Sequence, residues 1–406
     1  MNYSQTLEYI HSLGKFSLPA GLDRIKAVLN VLGNPQNCFK SIHIAGTNGK
    51  GSVTVMTASA LAAAGYKTGM FVSPYIIDFC ERIQINGEFI SENDLCRISE
   101  KVIETKIKLC EFEFITAVAF LYFAEQNVDV AVVETGLGGR LDATNALENV
   151  LVSAITKIGL DHTAVLGDTI EQIAAEKCGI IKNGKTICAP NQDKKALGVI
   201  KRYAPDVIIP NMSDVTNKNY GTVGNTFIYK DIQYETGLSG AFQIENAVTA
   251  LEILLNCGLS ICGDAIKEGL KNAFIPARAE IICSSPIVVL DGAHNPDGAA
   301  VLSDIMRRHS DITAIIGVMQ DKDYKNVLKQ TLPLCKKVIC VKAANMPRAL
   351  EAELLSMEAK KYCDNVEVAR SYSHALSLVT KDETLFVFGS LYLASGIRGL
   401  LKDTYK

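Results

Sequence analysis

The chain has 406 residues, which is long for a single hydrophobic core, so we expect two domains. A net charge of −3 without any basic block argues against a nucleic-acid partner, and the longest apolar stretch, residues 115–124, is too short to span a membrane. Glu8, His11 and Lys15 interrupt any signal-peptide core, and the 12 cysteines form no C-x-x-C pair, which together predict a cytoplasmic enzyme with reduced thiols.

Strand-like apolar runs alternate with helical periodicity over the first two thirds of the chain, a pattern typical of a parallel α/β sheet. The predicted strands are 41–45, 68–72, 128–134, 150–156 and 185–189. The predicted helices are 50–64, 91–108, 114–126, 169–178, 242–256 and 262–272. Residues 205–238 are rich in Asn, Gly and Thr, and we expect loops and small antiparallel strands there.

A second α/β alternation begins after a break near residues 274–278. Its predicted strands are 286–291, 312–317, 337–342 and 384–389, and its predicted helices are 296–308, 322–331, 349–360, 371–380 and 390–401. We therefore predict domains at 1–280 and 281–406. The expected fold class is a P-loop-type, mostly parallel sheet domain followed by a smaller Rossmann-like α/β domain.

The segment from Gly46 to Ser52 has the composition of a phosphate-binding loop. An apolar run leads into Gly-Thr-Asn-Gly, then Lys50, Gly51 and Ser52 at the start of an alanine-rich helix. Backbone N–H groups at such a helix start attract an anion, and a lysine adds charge for the terminal phosphates. The spacing is not that of Walker A, because Ile44 and Gly51 stand where it needs a glycine and a hydroxyl. A glycine-rich turn without a nucleotide is the alternative.

Glu134 ends the most apolar predicted strand and is followed by a glycine-rich loop. Parallel sheets bind ligands at the carboxyl ends of their strands, and a carboxylate there most simply holds Mg²⁺. The alternatives are a dinucleotide fingerprint, whose spacing fails because position 141 is Leu, and a solvated strand end.

Two of the six histidines lie beside aspartates at predicted strand ends. His162 follows Asp161, and His294 follows Asp291 by three residues. Both pairs could serve chemistry, or could be structural residues of capped turns. Lys177 lies on an amphipathic helix, where a surface lysine is the ordinary interpretation.

Taken together, these segments resemble the folylpolyglutamate synthase/dihydrofolate synthase family of the Mur ligase superfamily. The resemblance rests on residues 12–16, 21–25, 43–52, 73–74, 81–83, 134–145, 161–162, 176–181, 291–296 and 388–392. Residues 140–145 separate the folate enzymes from the cell-wall ligases. Tyr75 and Ala277 differ from the family pattern, in which His and Gly are usual.

The resemblance implies ATP-dependent ligation of L-glutamate to tetrahydrofolate polyglutamates, and to dihydropteroate, through an acyl phosphate. A cell-wall ligase and a nucleotide-switch ATPase are the alternatives. We also expect a monomer that takes only small-molecule substrates, with no nucleic-acid or membrane partner.

The resemblance further implies the residues of the site. ATP would contact Gly46, Thr47, Asn48, Gly49, Lys50, Gly51, Ser52, Asn246, Arg278, Asp291 and His294. Two Mg²⁺ ions would use Ser73, Glu134, His162 and a carbamylated Lys177, and Lys50, Glu134, His162 and Lys177 would form the catalytic set. The folate would contact Arg82, Thr135, Gly136, Arg140 and Asp142.

Overall fold

The computed structural model describes residues 1–14, 18–221 and 224–405, so Lys15 and Phe16 of the first motif lie outside the described residues. Two compact units are formed. The first comprises Met1–Lys218, Thr226–Gly237 and Phe242–Phe274, and the second comprises Asn219–Asn225, Leu238–Ala241 and Ile275–Lys406. The main division therefore falls a few residues before the predicted boundary, and two short segments join the second unit from within the first.

The first unit is built on a seven-stranded sheet of order β4-β3-β2-β5-β1-β6-β7. Its strands are β1 (Lys40–Ala45), β2 (Thr68–Phe71), β3 (Ile83–Ile85), β4 (Glu88–Phe89), β5 (Val130–Glu134), β6 (Val150–Ile155) and β7 (Lys185–Cys188). All neighbours pair in parallel except β3 and β4, which add an antiparallel edge. Strand β5 is buried along its whole length, as its nearly all-apolar sequence predicts.

Ten helices accompany this sheet among the described residues, and two of them, α3 and α5, are apolar nearly all round because they are buried on most sides. They are α1 (Tyr3–Ser12), α2 (Asp23–Val31), α3 (Lys50–Ala63), α4 (Glu92–Glu104), α5 (Glu111–Glu125), α6 (Thr163–Leu166), α7 (Ile170–Cys178), α8 (Lys194–Tyr203), α9 (Phe242–Asn256) and α10 (Gly263–Asn272). A three-stranded sheet of order β10-β9-β8 precedes α9, with strands β8 (Val215–Gly221), β9 (Gly224–Tyr229) and β10 (Ile232–Thr236).

The second unit has a six-stranded sheet of order β11-β12-β16-β13-β14-β15, parallel except for β11. Its strands are β11 (Glu280–Ser284), β12 (Ile287–Leu290), β13 (Ile312–Ile316), β14 (Cys335–Val341), β15 (Val366–Ala369) and β16 (Leu385–Phe388). Its helices are α11 (Pro296–Met306), α12 (Tyr324–Thr331), α13 (Ala352–Ala359), α14 (Tyr372–Ser377) and α15 (Leu391–Thr404). The predicted α/β fold class is confirmed.

The register of the first sheet brings several strand ends to one edge. Ile44 pairs with Glu134, Phe71 pairs with Val133, and Ala45 pairs with Ile155. The loops that follow β1, β2, β5 and β6 therefore emerge side by side, at the edge where parallel sheets bind ligands. In the part of the chain that the structure describes, no helix is both long and apolar enough to cross a membrane.

Candidate functional site

The loop between β1 and α3 requires glycine at two places because of close neighbours. A Cβ added to Gly46 would lie 1.8 Å from Thr156 Oγ1. Gly49 has φ +87°, which L side chains rarely adopt, and a Cβ there would lie 2.4 Å from Asn246 Oδ1. These contacts hold the loop between the end of β6 and helix α9.

Some amides of this loop already donate hydrogen bonds within the protein. The N–H groups of Thr47 and Asn48 both donate to the carbonyl of Lys157, at 2.8 and 3.1 Å. Thr47 Oγ1 also bonds both the N–H and the carbonyl of Gly159. The first turn of α3, which begins at Lys50, has N–H groups without an acceptor within the helix, and an anion could bind there.

Glu134 is buried directly beside that helix start. Its Oε1 lies 3.9 Å from Lys50 Nζ, and its Oε2 accepts the N–H of Ser73 at 3.3 Å. The described residues contain no group of three or more His, Cys, Asp and Glu side chains that could form a protein metal cage. One buried carboxylate next to a hydroxyl residue and a phosphate loop nevertheless fits Mg²⁺, which usually binds one or two carboxylates and substrate phosphates.

Lys177, near the end of α7, is buried rather than at the surface. Its side chain is among the buried charged groups, and its Nζ donates to the carbonyl of Gly46 at 2.7 Å. Burial, and next the positive charge of Lys50, lower the pKa of Lys177 to about 7. The folded environment therefore favours the neutral amine, which is the nucleophilic form of this side chain.

The lowered pKa predicts a pH-dependent stability. Between pH 7 and 10.5 the unfolded lysine keeps a proton that the folded one has lost, so folding stability rises with pH in that window and not below it. In this pH window the free energy of unfolding of the wild type should rise, relative to that of Lys177→Met, by up to about 1.4 kcal/mol per pH unit. Urea unfolding of both proteins in CO₂-free buffer measures this gain, and parallel pH profiles would contradict it.

His162 occupies a different environment, in the exposed loop between β6 and α6. Its side chain is 58% exposed and its Nε2 lies 3.7 Å from Asp161 Oδ2. The residue has φ +49°, so the loop turns sharply at this point. The predicted metal-binding role of His162 stays a prediction.

Helix α9 contributes two polar side chains to the loop, one of which sequence reasoning missed. Gln243 Nε2 donates to Ser52 Oγ at 3.2 Å, and Asn246 Nδ2 donates to Gln243 Oε1 at 2.9 Å. Both side chains are buried in a mostly apolar helix. Polar residues three apart on one face of such a helix were the signal that could have identified Gln243.

Gly49→Ala is expected to weaken nucleotide binding beyond the cost of backbone strain. Gly65 is the matched control, because it has φ +89° but no atom within 4 Å of an added Cβ. Gly65→Ala should lower the free energy of unfolding by about 1–2 kcal/mol and leave ADP affinity unchanged. Gly49→Ala should add a displacement of Asn246 and lose at least about tenfold in ADP affinity by calorimetry. Equal ADP affinities for the two variants would contradict this.

Arg82 is buried in an aromatic environment. Its guanidinium sits 5.1 Å from the ring centroid of Tyr75 and 5.3 Å from that of Phe79, with Nη2 3.8 Å from Glu111 Oε1. Its Nε is buried and has no hydrogen-bond partner among the described residues. Burial lowers the Arg82 pKa, and Glu111, which sequence reasoning missed, raises it.

The loop after β5 is held by its own aspartate. Asp142 accepts the N–H groups of Leu137 and Thr144, at 2.8 and 3.0 Å, and the hydroxyl of Thr144. Burial raises the Asp142 pKa, and these donors oppose the rise. Thr144 Oγ1 also lies 2.8 Å from Nε2 of His43, a buried histidine on β1.

The other predicted folate residues are divided between buried and exposed positions. Thr135 is buried and donates its N–H to Ile44, and a Cβ on Gly136 would meet the Phe112 ring at 2.5 Å. Arg140 is exposed, and its guanidinium bonds Glu176 through two nitrogens. Arg140 therefore contacts α7 in this structure.

In the second unit, the predicted residues lie at the end of β12. The Asp291 carboxylate accepts the N–H groups of Ala279 and Ala293, and burial raises its pKa while Arg278 opposes the rise. His294 Nδ1 lies 2.9 Å from the carbonyl of Gly292, and Arg278 is exposed. The Asp291 carboxylate is thus already engaged with two backbone amides.

Comparison with known proteins places both units in one family of sequences. Residues 44–254 match the Mur ligase middle domain, and residues 277–391 match the Mur ligase glutamate ligase domain. The dihydrofolate synthase/folylpolyglutamate synthase of Bacillus subtilis is 37% identical over 98% of this chain and 99% of its own length. The folylpolyglutamate synthase of Lacticaseibacillus casei is 34% identical over 99% of both chains.

Solved structures agree with the sequence matches. The folylpolyglutamate synthase of Thermotoga maritima has a TM-score of 0.88 and 36% identity, covering 98% of this chain and 96% of its own. Escherichia coli FolC, solved in complex with DHPP and ADP, has a TM-score of 0.85 and 28% identity, covering 100% of this chain and 99% of its own.

Proposed function

We propose that this chain, which belongs to the Mur ligase family of folylpolyglutamate and dihydrofolate synthases, uses ATP to join L-glutamate to tetrahydrofolate and its polyglutamates. Dihydropteroate is proposed as a second acceptor, giving dihydrofolate, since several relatives are named for both activities. The observation that carries the proposal is the buried Glu134 carboxylate beside Lys50 at the first turn of α3.

The proposed reaction has three steps. A carboxylate oxygen of the acceptor attacks the γ-phosphorus of ATP, which forms an acyl phosphate and releases ADP. The amine of glutamate then attacks the acyl carbon, and the tetrahedral intermediate loses a proton and expels phosphate to leave an amide. Phosphoryl transfer of this kind depends more on positioning the reactants and neutralising the phosphate charge than on covalent catalysis. The α3 amides and Lys50 can supply that positioning and positive charge.

We assign two Mg²⁺ sites to this edge of the sheet, the first with Ser73 and Glu134 and the second with Glu134, His162 and Lys177. Bound Mg²⁺ would supply positive charge for the phosphate oxygens. The chain's own part is to fix the Glu134 carboxylate, through the Ser73 amide and the nearby Lys50 ammonium.

A protonated lysine cannot bind Mg²⁺, so we propose that Lys177 is carbamylated. Its neutral amine would attack CO₂ and lose a proton, which leaves an anionic carbamate oxygen as a ligand. The pKa of about 7 supports this step because a neutral amine is the required nucleophile.

The remaining assignments extend the proposal to substrate binding. Residues 1–280 would form the ATP-binding domain with the folate pocket, and residues 281–406 the C-terminal ligase domain. For ATP we propose Gly46, Thr47, Asn48, Gly49, Lys50, Gly51, Ser52, Asn246, Arg278, Asp291 and His294. For the folate we propose Arg82, Thr135, Gly136, Arg140 and Asp142. The unpartnered Nε of the buried Arg82 supports a ligand at that residue.

We further propose a cytoplasmic monomer. All 12 cysteines are free thiols in the structure, which suits a reducing compartment. Size-exclusion chromatography with light scattering tests the monomer.

The proposed function is tested by acceptor-dependent ADP release. The protein is incubated with ATP, Mg²⁺ and glutamate, and with tetrahydrofolate or dihydropteroate as the acceptor. ADP release that requires both glutamate and an acceptor is expected, and comparing the acceptors separates one activity from two. ADP release that needs no acceptor would identify an ATPase instead, and no release with either acceptor would refute the folate assignment.

A further inference from the structure

The turn that carries Arg278 has an unusual backbone. The residues on either side of it, Ala277 and Ala279, both have φ +49°. Positive φ is uncommon for a residue with a Cβ, and it persists only where the surrounding structure fixes it. Both alanines are buried, whereas Arg278 between them is exposed. The strained backbone thus serves to direct a single guanidinium outward.

Separate contacts hold each side of the turn. Glu280 Oε2 accepts the N–H of Ala277 at 3.0 Å, and Gly292 donates its N–H to the Ala277 carbonyl at 2.8 Å. On the other side, Asp291 Oδ2 accepts the N–H of Ala279 at 2.7 Å. The Ala277 side therefore depends on the Glu280 carboxylate.

Glu280 is itself fixed by an arginine that is 118 residues away in sequence. Arg398, on α15, donates through Nε to both carboxylate oxygens at 2.9 Å and through Nη2 to Oε1 at 2.7 Å. The side chain of Glu280 is 3% exposed and that of Arg398 is 17% exposed. Burying two charges is costly and often adds no net stability, so a pair of this kind points to a need for one particular geometry.

We infer that the Glu280–Arg398 pair is a positioning device that orients Arg278 toward a phosphate group of the nucleotide. The inference rests on the proposed function, because it needs a phosphate ligand. Arg278 is exposed, so its guanidinium is accessible to an anion, and its planar donors match phosphate oxygens. Glu280 and Arg398 are positioning residues and act through the Ala277 backbone.

A double-mutant cycle on ADP affinity tests this inference. Arg278→Ala should weaken ADP binding by about tenfold to a hundredfold, the range for hydrogen bonds to charged groups. Arg398→Met should weaken it by about fivefold or more, and adding Arg398→Met to Arg278→Ala should cause no further loss. Arg398→Lys, which keeps the charge but not the bidentate geometry, should fall between wild type and Arg398→Met, and carries the same cycle if Arg398→Met does not fold.

Arg348→Met is the matched control, because Arg348 pairs with Asp321 at an exposed position of the same unit. It should leave ADP affinity unchanged. Amide hydrogen exchange without nucleotide gives a second readout, in which Arg398 variants should speed exchange at Ala277 and leave the Asp291-bonded amide of Ala279 protected.

Two results would overturn the inference. One is additive losses in the cycle, which would show that Arg398 acts independently of Arg278. The other is unchanged ADP affinity of Arg278→Ala. Either is distinguishable from failure of the proposed function, which would appear as wild-type protein without acceptor-dependent ADP release.

Discussion

Replacing Glu134 with glutamine is expected to lower turnover by about a hundredfold to a thousandfold, the range for losing one preorganised electrostatic group. The amide keeps the size of the side chain and can still accept the Ser73 N–H, so the fold should be retained. It loses the negative charge that would hold Mg²⁺ and that faces Lys50 at 3.9 Å. Steady-state ADP release over a range of Mg²⁺ concentrations measures the effect.

Glu125→Gln is the control for this substitution. Glu125 lies at the end of α5 in the same unit and pairs with Arg97 and Lys101 at the surface. Exposed pairs contribute little, about 0–1 kcal/mol, so this variant should keep wild-type turnover. A Glu134→Gln protein with near-normal turnover and unaltered Mg²⁺ dependence would show that the carboxylate is not a metal ligand.

Lys177→Arg and Lys177→Met are both expected to lose at least about a hundredfold in turnover. Neither side chain can form the proposed carbamate, although arginine keeps the positive charge and could still donate to the Gly46 carbonyl. If Lys177 acted as a simple cation or donor, Lys177→Arg would therefore retain much of the activity. Kinetics of the two variants in bicarbonate buffer separate these roles.

Carbon-13 NMR with labelled bicarbonate detects the carbamate without relying on activity. Wild type should give one carbamate signal that Lys177→Met lacks. Lys182→Met is the matched control, because burial also lowers the Lys182 pKa, yet its Nζ donates to the carbonyls of Asn145 and Leu147. Its spectrum should keep the signal. A wild-type spectrum without a carbamate signal, with saturating ATP and Mg²⁺, would contradict the proposal.

Elements with strong local signals could be predicted from the sequence. Strand β5 is buried throughout and is apolar up to the final Glu134, and α3 follows a glycine turn, so both were found within two residues of their ends. The predicted end of α4 at residue 108 was wrong, because the helix ends at Glu104 and the chain turns at Lys106 with φ +58°. Helix α8 was missed, although Asp193 caps it through two amides.

Residues of the site that act through distant partners could not be predicted. The positions of Glu134 and Lys50 follow from adjacent strand ends, which alternation along the chain predicts. The burial of Lys177 could not be predicted in this way, because an amphipathic helix gives no sign that its lysine will reach the Gly46 carbonyl across the sheet edge. The pairing of Glu280 with Arg398 could not be predicted either, since no local sequence pattern relates two residues that far apart.

Transfer of oxygen-18 tests the central claim, an acyl phosphate formed on the acceptor, most directly. Dihydropteroate with both carboxylate oxygens labelled is incubated with the protein, ATP, Mg²⁺ and glutamate, and the released phosphate is analysed by mass spectrometry. One labelled oxygen in each phosphate is predicted, with the other retained in the amide, because the bond to the carbonyl carbon breaks when phosphate leaves. Unlabelled phosphate alongside amide product would show that the carboxylate is never phosphorylated and would contradict the account.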